Sequence, residues 1–94
     1  MRNYELVCVI QPDLDETAFN GVVEKVKGWI SDSGGTVDKV DVWGRRKLAY
    51  IIKKHREGQF VLLNMTMNPT ATADLQRNLR FQEPIIHHML SVVA

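Results

Sequence analysis

The stretch TVDKVDVWGRRKLAYIIKKHREGQFVLLNMTM, from Thr36 to Met67, decides the fold. It is rich in β-branched and aromatic residues, which favour a pleated, half-buried backbone. Its first part, Thr36 to Lys54, is too long for one flat strand and is interrupted at Gly44, so it reads as a single long strand bent by a bulge. His55-Arg56-Glu57-Gly58 then reads as the hairpin turn, and Gln59 to Met67 as the returning strand. In that strand Val61, Leu63, Met65 and Met67 form one wholly apolar row, while Phe60, Leu62, Asn64 and Thr66 form a mixed one. Side chains alternate across a strand, so the first row belongs to the core and the second faces outward.

On the N-terminal side, Tyr4 to Ile10 reads as a strand closed by Gln11-Pro12. Asp13 and Glu16 have the spacing of a capping box, and Phe19, Val22, Val23, Val26 and Ile30 recur at helical intervals. These predict a helix from Leu14 to Asp32, stopped at Gly34-Gly35. Gly21 and Gly28 inside it each cost about 1 kcal/mol relative to alanine, so packing must hold it. On the C-terminal side, Asn68-Pro69-Thr70 opens a second helix whose Leu75 and Leu79 form the buried stripe through to Arg80. Pro84 ends the connection and Ile85 to Val93 makes the last strand. The order β-α-β-β-α-β in a single domain spanning 1–94 is that of an α+β ferredoxin-like sandwich. Right-handed crossovers then place two helices on one face of a four-stranded antiparallel sheet of order 4-1-3-2.

The helices leave the other sheet face bare, so its residues carry functional information. Parity puts Tyr4, Leu6, Cys8 and Ile10 inward, leaving Asn3, Glu5, Val7 and Val9 on the open face. In the last strand Leu90 and Val92 look inward, while His87, Met89 and Val93 look outward. With Tyr50 from the long strand, the open face gains an apolar patch of Val7, Val9, Tyr50, Phe60, Leu62 and Met89. Such a patch marks an interface, unless the bent strand curls over it and buries it internally.

Charge is segregated in the same region. Trp43 to Lys54 holds five cations, two aromatics and four aliphatics within twelve residues, with no acid. The chain as a whole has 12 Lys and Arg against 11 Asp and Glu, so any nucleic-acid surface has to be local. Arg45, Arg46, Lys47, Lys53, Lys54, His55 and Arg56 lie on the long hairpin, with Arg2, Arg77 and Arg80 elsewhere. They suit RNA phosphates, or else a solvated edge on which cations discourage strand pairing.

Other chemistries find little support. The lone Cys8, between two valines, excludes an internal disulfide, fits a reducing compartment and reads as a small core residue. His55, His87 and His88 lack a metal-ligand spacing, and adjacent His87 and His88 point to opposite faces of a strand, so neither a metal nor a cofactor is expected. Asp13, Asp15 and Glu16 suit a helix N-terminus better than an acid/base pair. No catalytic residue is expected. An RNA recognition motif shares the element order, but Arg56 to Leu63 matches its third-strand signature only at Arg56, Phe60 and Val61, and the base-stacking aromatics are missing. A dimeric ferredoxin-like regulatory or ligand-sensing module would explain the apolar patch but not the cationic hairpin. No signal peptide precedes Tyr4 and no apolar run approaches a membrane span, which predicts a cytoplasmic protein.

With these elements in place, the chain resembles the family of the sixth protein of the bacterial small ribosomal subunit. The resemblance covers essentially the whole chain: Met1-Arg2-Asn3-Tyr4-Glu5-Leu6, Gln11-Pro12-Asp13, Trp43-Gly44-Arg45-Arg46-Lys47-Leu48-Ala49-Tyr50, Ile52-Lys53, Glu57-Gly58, Phe60-Val61-Leu62, Leu79-Arg80-Phe81, Ile85-Ile86 and Met89. It implies a structural, non-enzymatic constituent of the small-subunit platform. Such a protein binds the central domain of 16S ribosomal RNA as a heterodimer with the eighteenth small-subunit protein, after the fifteenth has shaped the RNA. Together with the hairpin charges it assigns Arg2, Arg45, Arg46, Lys47, Lys53, Arg80 and His87 to RNA, and Leu48, Tyr50, Phe60, Leu62 and Met89 to the partner protein. Three departures stand out. His87 replaces a frequent arginine, which makes a charged contact there conditional on protonation. Ile51 stands where many members have proline, and the chain lacks the acidic tail that some carry beyond Ala94.

Overall fold

A computed structural model describes residues 1–93; Ala94, the last residue of the expected 1–94 domain, lies outside the described residues. The elements run β1 (Arg2–Ile10), α1 (Glu16–Asp32), β2 (Thr36–Ile52), β3 (His55–Met67), a 3₁₀ turn (Pro69–Ala71), α2 (Thr72–Phe81) and β4 (Ile85–Val92). The strands form one antiparallel sheet in the order β2-β3-β1-β4, the ferredoxin-like arrangement the sequence predicts.

The core lies between this sheet and the helices. Phe19, Val22, Val26 and Ile30 of α1 and Leu75 and Leu79 of α2 pack on Tyr4, Leu6, Cys8 and Ile10 of β1 and the Val61, Leu63, Met65 and Met67 row of β3. Burial of each large apolar side chain contributes roughly 1.5–3 kcal/mol, enough to offset the two helix glycines. The cap of α1 differs from the expected box. Asp15 is the N-cap, its carboxylate accepting from the Ala18 N–H at 2.8 Å, because the preceding loop is tied elsewhere. The Gln59 side-chain amide donates to the carbonyls of Gln11 at 3.0 Å and Leu14 at 3.2 Å, which holds residues 11–14 out of the helix. At the other end Gly34 takes φ +85°, and the Gly35 N–H reaches the Ile30 carbonyl at 2.9 Å, so the helix stops where glycine allows.

The hairpin departs from expectation in its turn. Ile52 pairs with His55, so the reversal is made by Lys53 and Lys54 alone, at φ 47° and 71°, and His55 to Gly58 belong to β3. Both central residues in the left-handed region define the tight hairpin turn that matches strand twist. Gly58 has a different task. It is buried, and a Cβ there would lie 2.3 Å from Val9 Cγ1 and 3.7 Å from Ile86 Cδ1. Val9, Gly58's neighbour across the β1–β3 pairing, is only 2% exposed despite lying on the open face. Val92, expected inward, is 58% exposed, since it pairs with Tyr4 at the rim, past the cover of the helices.

The bulge at Gly44 forms as expected: pairing shifts between Val42–Val61 and Gly44–Phe60, with Gly44 at φ +84°. A second shift lies at Asp38, and a larger one separates Lys47–Glu57 from Ile52–His55. There four residues, 48–51, stand against Arg56 alone.

Candidate protein and nucleic-acid interface

The open face is graded along the strands. One cross-strand row reads Asp41, Leu62, Val7, Met89, and the next reads Gly44, Phe60, Val9, His87. A third row, Lys39, Asn64, Glu5 and Ser91, is wholly polar. Apart from Val93 at the far rim, apolar surface on this face is therefore concentrated in the half nearest the hairpin. There Phe60 and Leu62 are half-buried and Met89 is 52% exposed. Trp43, displaced outward by the Gly44 bulge, stacks on Phe60 with ring centroids 6.4 Å apart and planes 13° off parallel. The Arg46 guanidinium lies 5.4 Å from the Trp43 ring centroid, capping the stack.

Arg45 and Arg46 thus part company. The Arg45 guanidinium donates to the Pro12 carbonyl and its Nε lies 3.6 Å from a Glu57 carboxylate oxygen, on the side of the β1–α1 loop. Arg46 points to the open face. Lys47 pairs in register with Glu57. Beyond it, where the ladder widens, Leu48, Tyr50 and Ile51 on one side and Arg56 on the other line a groove of about 440 Å³, with Tyr50 67% exposed.

Lys53, Arg80 and His87 converge. They line a depression of about 250 Å³ at the rim of β4, floored by Leu79, Ile85 and Ile86, together with His88. Burial, then the neighbouring His87 and Arg80 charges, hold the His88 ring below its usual titration range. Arg2 stands apart. It pairs with Met67 at the far end of β1, some eight residues or roughly 26 Å from Ile10.

Trp43 and His88 escaped the sequence reading. Trp43 was legible as an aromatic beside a bulge glycine. His88 was set aside because adjacent strand residues face opposite ways, yet β4 is an edge strand, and a rim depression is open to both faces. Among the described residues no three His, Cys, Asp or Glu side chains gather as a metal site would require. Cys8 is buried, which pushes its thiol up to about 12.

An open sheet face, a cationic rim and shallow depressions define a ferredoxin-like domain that presents surfaces. The family model described as ribosomal protein S6 matches residues 3–91. The small ribosomal subunit protein bS6 of Clostridium botulinum strain Loch Maree is 48% identical over 90 residues, covering 96% of each chain. That of Clostridium perfringens strain SM101 is 47% identical over 90 residues, covering 96% of this chain and 95% of its own. The crystal structure of 30S ribosomal protein S6 from Thermotoga maritima superposes with a TM-score of 0.92 at 31% identity, over 98% of this chain and 87% of that one. The chain belongs to the ribosomal protein S6 family of the small ribosomal subunit.

Proposed function

We propose that this chain acts as one cytoplasmic, non-catalytic domain that binds the central domain of 16S ribosomal RNA as a heterodimer with the eighteenth small-subunit protein, supporting the platform. The observation that carries this reading is the separation of surfaces on one sheet. The Leu62–Val7–Met89 row is bare and apolar, and cations crowd the hairpin and rim beside it. Apolar rows with a stacked aromatic suit a folded protein, while arginine and lysine suit phosphates through counterion release. Leu48, Tyr50, Phe60, Leu62 and Met89 serve the protein contact, and Arg2, Arg46, Lys47, Lys53, Arg80 and His87 serve the RNA. Arg45 contributes less to RNA, because Glu57 and the Pro12 carbonyl already occupy it.

The two surfaces separate in experiment. Arg46→Ala should lower RNA affinity and shallow the dependence of log affinity on log salt by about one unit, with Arg45→Ala changing it less. Leu62→Ala or Tyr50→Ala should instead weaken the protein partner by roughly 1–4 kcal/mol in titration calorimetry. An Arg46→Ala slope equal to that of the unsubstituted protein overturns the RNA assignment. A stable homodimer in light scattering, with no heterodimer formed, overturns the partner assignment.

A further inference from the structure

The rim of β4 collects positive charge from three separate elements without an acid to balance it. Lys53 comes from the hairpin turn, Arg80 from the last turn of α2, and His87 and His88 from β4, and no carboxylate lines the depression they share. Neither Lys53 nor Arg80 forms a salt bridge among the described residues. Lys53 and Arg80 are exposed, so solvent screens much of their mutual repulsion, and an anion seated between them would turn what remains into attraction. The turn that delivers Lys53 carries a cost of its own, since two non-glycine residues sit at positive φ.

We propose that this depression is a phosphate subsite, filled by a backbone phosphate of the bound RNA, and that filling it draws a proton from solvent onto the His88 ring. The inference rests on the RNA-binding reading above. His88 faces His87 on its own strand, Arg80 on α2, Lys53 on the turn and, across the ladder, Cys8 on β1, whose thiol stays neutral. Burial, then the neighbouring His87 and Arg80 charges, oppose protonation while the depression is empty. An oxyanion reverses that balance, because it attracts the imidazolium and screens it from Arg80. Binding and protonation are then linked, and affinity rises as pH falls, by up to about tenfold per pH unit for one proton taken up.

The test follows the histidine rings of the whole chain by NMR between pH 5 and 8. Titrations are run alone, with sodium sulfate against chloride at matched ionic strength, and with a 16S central-domain RNA fragment in the presence of the partner protein. The expected result is an upward shift of the His88 midpoint with sulfate and with RNA, and an RNA affinity several-fold higher at pH 6 than at pH 8. In His88→Gln that ratio should shrink to the part His87 supplies, and in Arg80→Gln the sulfate response should shrink. A His88 midpoint unmoved by both probes overturns the subsite, even if RNA binds normally at pH 8. A shift with sulfate alone overturns the RNA phosphate as occupant. Failure of RNA to bind at any pH overturns the RNA-binding reading, while the sulfate arm still decides whether an oxyanion fills the depression.

Discussion

His88 shows how one ring on an edge strand ties stability to pH without any ligand. Burial lowers its titration first, and His87 and Arg80 add to the effect, so the native ring resists the proton that an unfolded histidine accepts near 6.5. Between the native midpoint and 6.5 the unfolded chain binds more protons than the native one, so stability rises with pH through that window. The native state should lose stability as pH falls below about 6.5, with the loss levelling off once the native ring also protonates. Urea midpoints measured from pH 7 down to 5 should show this slope, and His88→Gln should flatten it. An equal slope in the variant would assign the effect to other groups. Arg45 and Arg46 make a different residue-scale point: neighbours in sequence with the same chemistry are separated by strand parity, one held to the β1–α1 loop and the other laid over Trp43.

At the scale of elements, α1 and the β2–β3 turn carry costs that substitution can remove. A Cβ built at Gly21 or Gly28 meets nothing within 4 Å, and neither glycine has positive φ. Gly21→Ala and Gly28→Ala should each stabilise the protein by about 0.5–1 kcal/mol in denaturant unfolding, since alanine fits the helix and reduces the freedom of the unfolded chain. The turn poses a sharper case. Replacing Lys53-Lys54 by Asn-Gly supplies residues suited to positive φ and should stabilise by roughly 1–2 kcal/mol. The same change should weaken RNA binding and reduce its salt slope, because it removes two cations at the tip. Gain of stability with loss of affinity would mark the strained turn as kept for its charge. This turn was also where sequence reading failed. Element order, strand parity and the Gly44 bulge followed from hydrophobic period and a single glycine. The reversal did not, because Gly58 attracted it while the residues that turn are lysines, which carry no conformational signal.

Across the whole molecule, the two candidate surfaces depend on one close approach. Which residues face outward was legible from parity, as the Leu62–Val7–Met89 row bears out. What parity could not reveal is that Gly58 packs tightly against Val9, or that the hairpin tip joins α2 and β4 at the rim, since alternation fixes a residue's face and not its distance from other elements. Gly58 sits at the point of contact. A methyl group there would lie 2.3 Å from Val9 Cγ1, and Val9, packed at 2% exposure beside Ile86, has little room to yield. Gly58→Ala should therefore destabilise the fold by roughly 1–3 kcal/mol through overpacking. It should also lift the hairpin, moving Lys53 away from Arg80 and His87 and shifting Phe60 relative to Leu62, though Gly58 itself is buried and has no side chain to offer a partner. RNA affinity and partner affinity should fall together, unlike the separate losses expected of Arg46→Ala and Leu62→Ala. A compensating Val9→Ala in the Gly58→Ala background makes space for the new methyl and should restore part of both affinities. If the double variant stays as impaired as the single one, the hairpin is not positioned by this contact.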